Sequence, residues 1–278
     1  MISIITAIYN QLEMNKLFYE YIVKYSKNPF ELIIIDNKST DGSCEFFESK
    51  GAKIIRNNGN YSYPYCQNRG IEIAKNNYFI FLNNDVLVSK NWDERAIQIM
   101  KKHGLDIASC SSPEKIETKE KTHVHFKKWK YIKNPFIFLF GNHTWVLKLT
   151  HRLMYGNWEK WTEMRYEKFK DSIILGIAGN NVIITRRGLE KVGMWDEKIQ
   201  CADFDIFLKA KKRNIEIGDI KPVHVLPGVY VHHFNRLTFK NDFPPFLDKD
   251  NLITIEEKWG LDSANELLRE ADMVVGKK

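Results

Sequence analysis

The sequence has few of the features that mark disulfide-rich, zinc-stabilised or membrane-spanning proteins. Its four cysteines are scattered and form no C-x-x-C pair, which argues against a zinc ribbon or a disulfide framework and fits a reducing compartment. The longest apolar runs, such as residues 136–140, fall far short of the roughly 20 residues of a membrane-spanning helix. A strand-like run begins at Ile2, which leaves no room for a signal peptide, so we expect a cytoplasmic protein.

Positive charge is concentrated in one segment. The chain carries a net charge of +7, but residues 121–170 hold eleven Lys and Arg against three Glu, together with twelve aromatic residues. This segment could be a lid over a substrate, a surface attracted to anionic lipid or a lipid-linked phosphate, or a solvated insertion with ordinary core aromatics. A nucleic-acid-binding face is disfavoured, because the segment has no helix-turn-helix or RNP motif.

The first 110 residues alternate strand-like and helix-like patterns. Apolar runs predict strands at residues 2–8, 32–36, 52–55, 78–82 and 106–110. Between them, helices are predicted at residues 12–25, from about residue 40, and at residues 65–74. This order predicts a mainly parallel sheet with right-handed crossovers. No G-x-G-x-x-G follows the first strand, which disfavours dinucleotide binding.

Regular patterns are weaker beyond residue 110. Within residues 111–172 only a weak helical signal is present, at residues 158–170. Further on, we expect strands at residues 177–185 and 229–231, and helices at residues 186–192, 203–212 and, weakly, 261–273.

Three of the predicted strands end in polar residues. The first leads into Tyr9, the second ends on Asp36, and the fourth is followed by Asn83, Asn84 and Asp85. Ligands of open α/β sheets bind outside the carboxyl ends of the strands. The sequence therefore predicts that Tyr9, Asp36 and Asp85 converge on one crevice, of the kind that takes a nucleotide-sugar.

An ordered set of motifs resembles the family-2 glycosyltransferases of the GT-A fold. The motifs run from Ser3 to Gly260, and any one of them alone is weak evidence. They are S-I-I-T-A-I-Y-N at 3–10, I-D-N-K-S-T-D-G-S at 35–43, N-N-G at 57–59, N-R-G-I at 68–71, F-L-N-N-D-V at 81–86, the stretch 179–197, and K-W-G at 258–260.

The resemblance implies a GT-A-like fold of two continuous halves. The Rossmann-type nucleotide-sugar half would span residues 1–110, the basic aromatic insertion 111–172 and the smaller acceptor half 173–260, with a helical tail at 261–278. The resemblance implies that Asp36 recognises a uracil or thymine ring. The residues expected to bind the donor are Thr6, Ala7, Tyr9, Asp36, Gly59, Asn68, Arg69, Asn83, Asn84 and Asp85.

Asp85 is the central residue of the expected site. It matches the last carboxylate of the family's Asp-x-Asp motif and would hold Mn²⁺ or Mg²⁺ against the donor diphosphate. Asn83 stands where the fuller motif has Asp, which puts strict metal dependence in doubt. Because successive strand residues face opposite ways, one of His232 and His233 should point into the site, and His233 is favoured as a further ligand.

The acceptor half supplies the expected catalytic base. Asp203 matches the Asp that takes the acceptor's hydroxyl proton, with Asp205 as the alternative. Ala202 stands where the family usually has Glu. A helix start would keep the pKa of Asp203 low. Gly179, Asn180, Trp195 and Ala202 are expected to contact the acceptor or the transferred sugar, with Trp195 stacking on a sugar face or packing in the core.

These features predict an inverting glycosyltransferase. It would move a hexose or deoxyhexose from a UDP- or dTDP-sugar to a hydroxyl of a glycan or lipid-linked glycan, as in bacterial polysaccharide assembly, at the inner face of the membrane. Two alternatives remain open at this point. A sugar nucleotidyltransferase would release pyrophosphate, whereas an inactive nucleotide-sugar or carbohydrate-binding protein would bind without turnover.

Overall fold

The computed structural model describes residues 1–235, Leu237 and residues 244–274. The strands are β1 Ile2–Ile8, β2 Phe30–Asp36, β3 Lys53–Arg56, β4 Tyr78–Leu82, β5 Val86–Leu87, β6 Ile107–Ser111, β7 Ile174–Leu175, β8 Asn181–Thr185, β9 His224–Tyr230 and β10 His232–His233. The helices are α1 Leu12–Tyr25, α2 Ser43–Ser49, α3 Tyr63–Ile73, α4 Trp92–His103, α5 Lys119–Phe140, α6 Thr144–Tyr155, α7 Trp158–Phe169, α8 Arg186–Val192, α9 Ala202–Glu216, α10 Ile255–Trp259 and α11 Leu261–Leu268.

One large sheet organises the molecule. Its strand order is β3-β2-β1-β4-β8-β6-β9-β7. Strands β3, β2, β1 and β4 are mutually parallel, β8 is antiparallel to both of its neighbours, and β6 pairs parallel with β9. This mostly parallel sheet with helical connections confirms the predicted α/β class.

The sheet is buried on both faces. Ile4 and Ile5 are adjacent in β1 and fully buried, but they belong to different core layers because neighbouring strand residues face opposite ways. Ile4 shares a layer with Phe18 of α1, whereas Ile5 shares one with Phe207 of α9. Coverage on both faces explains the nearly continuous apolar runs of β1 and β2.

The predicted division into halves remains a prediction, but the strands show how the halves are joined. β8 comes from the expected acceptor half and inserts between β4 and β6 of the expected nucleotide-sugar half. A small antiparallel pair, β5 with β10, then places His233 opposite Val86 and His232 opposite Leu87. The end of β9 is thereby brought next to Asp85.

The basic aromatic segment differs from the sequence expectation. The expected weak helix at 158–170 is present as α7, but α5 and α6 precede it where no helix was predicted. The periodic signal of α5 is weak because its buried stripe is narrow and includes a lysine: Trp129, Lys133 and Ile137. No helix in the described part of the chain is long and apolar enough to cross a membrane.

Two further predicted elements have different boundaries in the structure. The strand predicted at 177–185 starts only at Asn181, and residues 177–179 line a cavity instead. The tail predicted as one helix over 261–273 is helical to Leu268 and continues as a short 3-10 turn, Arg269–Ala271.

Candidate active site

The parallel strands β1, β2 and β4 open a crevice at their carboxyl ends. Register pairing sets Ile8 beside Asp36, and Ile5 of β1 pairs with Phe81 of β4. The chain leaves β1 through Asn10 and Gln11, both in the left-handed region at φ 55° and 72°, a strain typical of functional sites. We call this the strand-end crevice; it is lined by Ala7, Ile8, Tyr9, Asn37, Asn60, Tyr61, Tyr63, Asn84, Gln200 and Phe246.

Side-chain amides hold the walls of the strand-end crevice. Asn37 donates to the side chain of Asn60 over 3.1 Å and accepts from Asn57 over 2.7 Å. Asn84 donates over 2.8 Å to Asn15 of α1. These bonds join the ends of β2 and β4 to neighbouring elements, so the crevice is preorganised rather than a loose surface cleft.

Asp36 ends β2 and directly precedes Asn37, which lines the strand-end crevice. Asp36 is 3 % exposed, and its Oδ1 accepts the N–H of Ser39 over 3.0 Å. This bond forms the turn that follows β2. Of the three residues expected to converge, Tyr9 lines the crevice, whereas Asp36 and Asp85 each lie next to a lining residue, Asn37 and Asn84.

Four of the residues expected to contact the donor have other surroundings in the structure. The Asn68 side chain bonds both the backbone N–H and the carbonyl of Trp195, and Arg69 donates to the hydroxyl of Tyr65. Gly59 packs beneath Leu247, where a Cβ would come within 2.4 Å of a methyl carbon. Thr6 is fully buried in β1, and its hydroxyl has no partner among the described residues. None of the four lines the strand-end crevice, and their donor contacts remain predictions.

Asp85, His233 and Glu114 form a connected row of polar side chains. The Nε2 of His233 lies 3.0 Å from Oδ1 of Asp85, and its Nδ1 lies 2.8 Å from Oε1 of Glu114. Asn235 and Asn180 also donate to Glu114, over 2.8 and 3.1 Å. The imidazole is therefore fixed between two carboxylates, and its orientation is set by Glu114.

The two carboxylates control the protonation of His233. Burial alone would lower the pKa of this imidazole, but Asp85 and Glu114 raise it to about 10. Burial also tends to raise the pKa of Glu114, yet the charge and hydrogen bond of His233 bring that pKa below its usual value. The two carboxylates therefore favour the charged form of the His233 imidazole. Its neighbour His232 instead points to the hydroxyl of Tyr155, over 2.8 Å.

The chemistry of this row fits a divalent cation. A histidine that binds a metal usually gives its other nitrogen to a carboxylate, as Glu114 does here to His233. Two adjacent ligand atoms of one ion lie about 3 Å apart, which matches the distance from Asp85 to His233. The described residues contain no group of three or more His, Cys, Asp or Glu that could hold a metal by itself. A cation here would therefore rely on substrate phosphates and water for its remaining ligands.

A second cavity, of about 460 Å³, lies on the other side of Glu114. We call it the Asp203 cavity; it is lined by Glu114, Lys115, Lys119, Thr122, His123, Phe126, Ile177, Ala178, Gly179, Asp203, Phe204, Asp272 and Met273. Glu114 lines this cavity and also contacts His233, which in turn contacts Asp85. A chain of side-chain contacts therefore links Asp85 to the wall of the Asp203 cavity.

Glycine is required at position 179 to admit the carboxylate of Asp203. A Cβ there would lie 2.2 Å from Oδ2 of Asp203, far inside van der Waals contact. Burial raises the pKa of Asp203 above its usual range, and the backbone N–H bonds at Asp203 and Phe204 only partly oppose this. The expectation that the helix start keeps this pKa low is therefore wrong. The raised pKa makes Asp203 a stronger base than an ordinary aspartate.

Asp205 and Trp195 do not reach the Asp203 cavity. Asp205 is fully buried, 2.6 Å from Lys258 and 2.8 Å from the indole N–H of Trp259, so it anchors α10 to α9. Trp195 is 2 % exposed and packs edge-on against Tyr63 and Phe81. Trp195 therefore offers no free face to a sugar, and the core alternative is the correct one. Ala202, 1 % exposed, is likewise a packing residue.

Sequence reasoning missed Glu114. The signal was available, because Glu114 follows the end of β6 just as Asp85 follows the end of β4. It was passed over because β6 lies beyond the antiparallel β8 in the sheet, and that neighbour relationship was not predicted. Asn37, which braces the strand-end crevice, was missed because it reads as an ordinary turn residue.

The fold and the site define an α/β protein with a crevice at its strand ends and a second cavity near by. The glycosyl transferase family 2 model matches residues 3–192, so the chain belongs to that family. Over 112 residues it is 26 % identical to the glycosyltransferase GlyG of Streptococcus pneumoniae. Over 115 residues it is 27 % identical to the uncharacterized glycosyltransferase YibD of Escherichia coli K12.

Both curated matches are partial. They cover 38 % and 40 % of this chain and 37 % and 33 % of the respective relatives. The fold is similar over the whole chain to the mannosyltransferase PcManGT of Pyrobaculum calidifontis, solved with GDP-mannose and Mn²⁺. That match has a TM-score of 0.55 and 14 % identity and covers 76 % of the other chain. It supports the GT-A type of fold.

Proposed function

We propose that this chain transfers a sugar from a nucleoside diphosphate donor to a hydroxyl group. The observation that carries the proposal is the contact row that ends at Glu114. The Asp85–His233 pair, suited to a cation that would bind a diphosphate, is joined through Glu114 to a cavity that holds the carboxylate of Asp203. Membership of glycosyl transferase family 2 supports the same reaction class.

The donor would lie with its nucleoside in the strand-end crevice. Asp36 and Tyr9 would contact the base and the ribose, with Asn37 and Asn60 bracing the wall. We propose uracil or thymine as the base, by resemblance to the family. The sugar and diphosphate would then extend past Asn84 toward Asp85, at the end of β4.

Asp203 would act as the general base of a single displacement. It removes the proton of the acceptor hydroxyl while that oxygen forms a bond to the anomeric carbon, and the bond from that carbon to the diphosphate oxygen breaks. Attack from the face opposite the leaving group inverts the anomeric configuration. Gly179 leaves room for the Asp203 carboxylate beside the reacting hydroxyl.

Asp85 and His233 would hold Mn²⁺ or Mg²⁺, and Glu114 would keep His233 aimed at it. Such a cation supplies positive charge for the departing diphosphate. Asn83 carries no charge where the fuller motif has one, so the protein would contribute a single carboxylate beside the imidazole. We propose a glycan or lipid-linked glycan as the acceptor, and the cytoplasmic face of a membrane as the place of reaction.

A thermal-shift screen tests the donor site. The protein is titrated with UDP-, dTDP- and GDP-sugars, each with Mn²⁺ and with EDTA. A ligand present at 100 times its Kd adds about 2.7 kcal/mol of stability, which is readily measured. Metal-enhanced stabilisation by one nucleoside class is expected; stabilisation that is equal for all three, or equal in EDTA, would contradict the proposed site.

A further inference from the structure

The turn between α5 and α6 exposes a cluster of large apolar side chains. We call residues 134–147 the aromatic tip. Phe138 is 84 % exposed, Leu139 67 %, Trp145 54 % and Phe140 47 %. Scattered exposed apolar residues are normal, but a contiguous group of this size marks an interaction surface.

The aromatic tip is fixed to the body of the protein. On its inner side Ile137 and Val146 are buried. Thr144 donates over 2.6 Å to Glu13 of α1, close to where the chain leaves β1. The exposed rings are therefore held outward by a defined scaffold, at the same edge of the molecule as the strand-end crevice.

Positive charge surrounds the aromatic tip. The tip contains no charged side chain, and no acidic residue occurs anywhere between Glu120 and Glu159. The stretch nevertheless carries seven Lys and Arg, of which Lys127, Lys128 and Lys130 are exposed on the adjoining part of α5. An apolar end flanked by lysines is complementary to a bilayer with anionic headgroups, where aromatic rings settle at the interface.

We propose that the aromatic tip inserts into the surface of an anionic phospholipid bilayer. The charge pattern favours lipid over a second copy of the chain as the occupant, because pairing two such surfaces would bring two clusters of lysines together. The proposal names the surface that would bring about the proposed location at a membrane, but it does not depend on the proposed reaction, since binding to lipid requires neither donor nor turnover.

Membrane docking would place the reaction close to the lipid surface. Helix α5 has 22 residues and is thus about 33 Å long. Its first turns, with Lys119 and Phe126, line the Asp203 cavity, and its last seven residues belong to the aromatic tip. One helix therefore connects the cavity to the proposed contact with the bilayer.

Sedimentation with vesicles tests the proposal. Wild-type protein is mixed with vesicles of phosphatidylcholine containing 30 % phosphatidylglycerol, and with vesicles of phosphatidylcholine alone. We expect binding to the anionic vesicles to be at least tenfold tighter. The double variant Phe138→Ser/Leu139→Ser should lose at least tenfold in affinity for the anionic vesicles. The matched control Ile215→Ser, which changes an apolar side chain that is 64 % exposed on α9, should bind as wild type does.

A second measurement locates the insertion. Brominated phosphatidylcholine in the same anionic vesicles should quench part of the tryptophan fluorescence, and Trp145→Phe should remove that part. All three altered tip residues are exposed, so we expect each variant to keep its fold. The melting temperature of each variant verifies this before vesicles are added.

Three outcomes would overturn the proposal. They are the absence of wild-type binding to anionic vesicles, equal binding by the Phe138→Ser/Leu139→Ser variant, and a concentration-dependent dimer that the same variant abolishes while vesicles are not bound. The last result would assign the surface to a second copy. None of these results bears on donor binding, which the thermal-shift screen measures separately.

Discussion

The strand-end crevice and the Asp203 cavity are built in different ways. The crevice lies at the ends of adjacent parallel strands, and amide side chains such as Asn37 and Asn84 bond its walls together. The Asp203 cavity is formed by a helix start, a loop and the first turns of α5, and it contains a carboxylate whose pKa is raised by burial. The first arrangement suits rigid recognition of a donor, whereas the second suits proton transfer.

The largest expected effect on kcat distinguishes the carboxylate of Asp203 from that of Asp205. Asp203→Asn should lower kcat by about 10³-fold, within the range for loss of a general base, while leaving donor binding intact. Asp205→Asn, two residues away and buried against Lys258, should keep kcat within a few-fold. Steady-state kinetics with the donor found by thermal shift make the comparison. If kcat falls equally in the two variants, Asp203 is not distinguished from Asp205 as the catalytic base.

The next effect tests the diphosphate end of the site. Asp85→Ala should lower kcat by about 10²-fold or more, since a countercharge to the leaving group is lost, and should abolish the Mn²⁺-dependent part of the thermal shift. Glu114→Gln should have a smaller effect, because it frees His233 to turn while Asp85 remains. If Asp85→Ala keeps both full activity and the metal response, the cation is not held there.

A moderate effect is expected from filling the space beside Asp203. Gly179→Ala places a Cβ 2.2 Å from the Asp203 carboxylate, so kcat should fall by roughly 10- to 100-fold, as small misplacements in active sites do. Gly59→Ala is the matched control. Its Cβ meets the end of Leu247 at 2.4 Å, but that side chain is 59 % exposed and can move. A similar loss in both variants would point to general instability.

Three lining residues of the strand-end crevice, Ala7, Tyr9 and Asn84, and two of the Asp203 cavity, Gly179 and Asp203, were expected from the sequence. Asp36 and Asp85 stand where runs of β-branched and aromatic residues stop, so a local pattern is enough to select them, but their roles remain predictions. Asn68 and Trp195 were misassigned because they bond one another across 127 positions of the chain, which only the tertiary fold reveals. Helix α5 was missed because most of its residues are exposed and its buried stripe is narrow, whereas α6 has a broad buried face and was simply not recognised.

The smallest expected effect concerns stability. Because the folded-state pKa of Asp203 is raised, folding disfavours its charged form and costs stability once the pH exceeds the unfolded pKa of about 4. Asp203→Asn should therefore raise the melting temperature at pH 7, and this gain should disappear as the pH falls below 4. A melting series over pH 3–8 tests the sign. A variant less stable than wild type at pH 7 would contradict the raised pKa.

The identity of the product most directly tests whether this site transfers sugar. Wild-type protein is incubated with UDP-, dTDP- and GDP-sugars and Mn²⁺, in the presence of a membrane extract as the source of acceptor, and the released products are separated by ion exchange. We expect one donor to yield its nucleoside diphosphate, and the Asp203→Asn variant to release almost none. Release of pyrophosphate, or equal release of the nucleoside diphosphate by the variant, would contradict a glycosyl transfer that depends on Asp203.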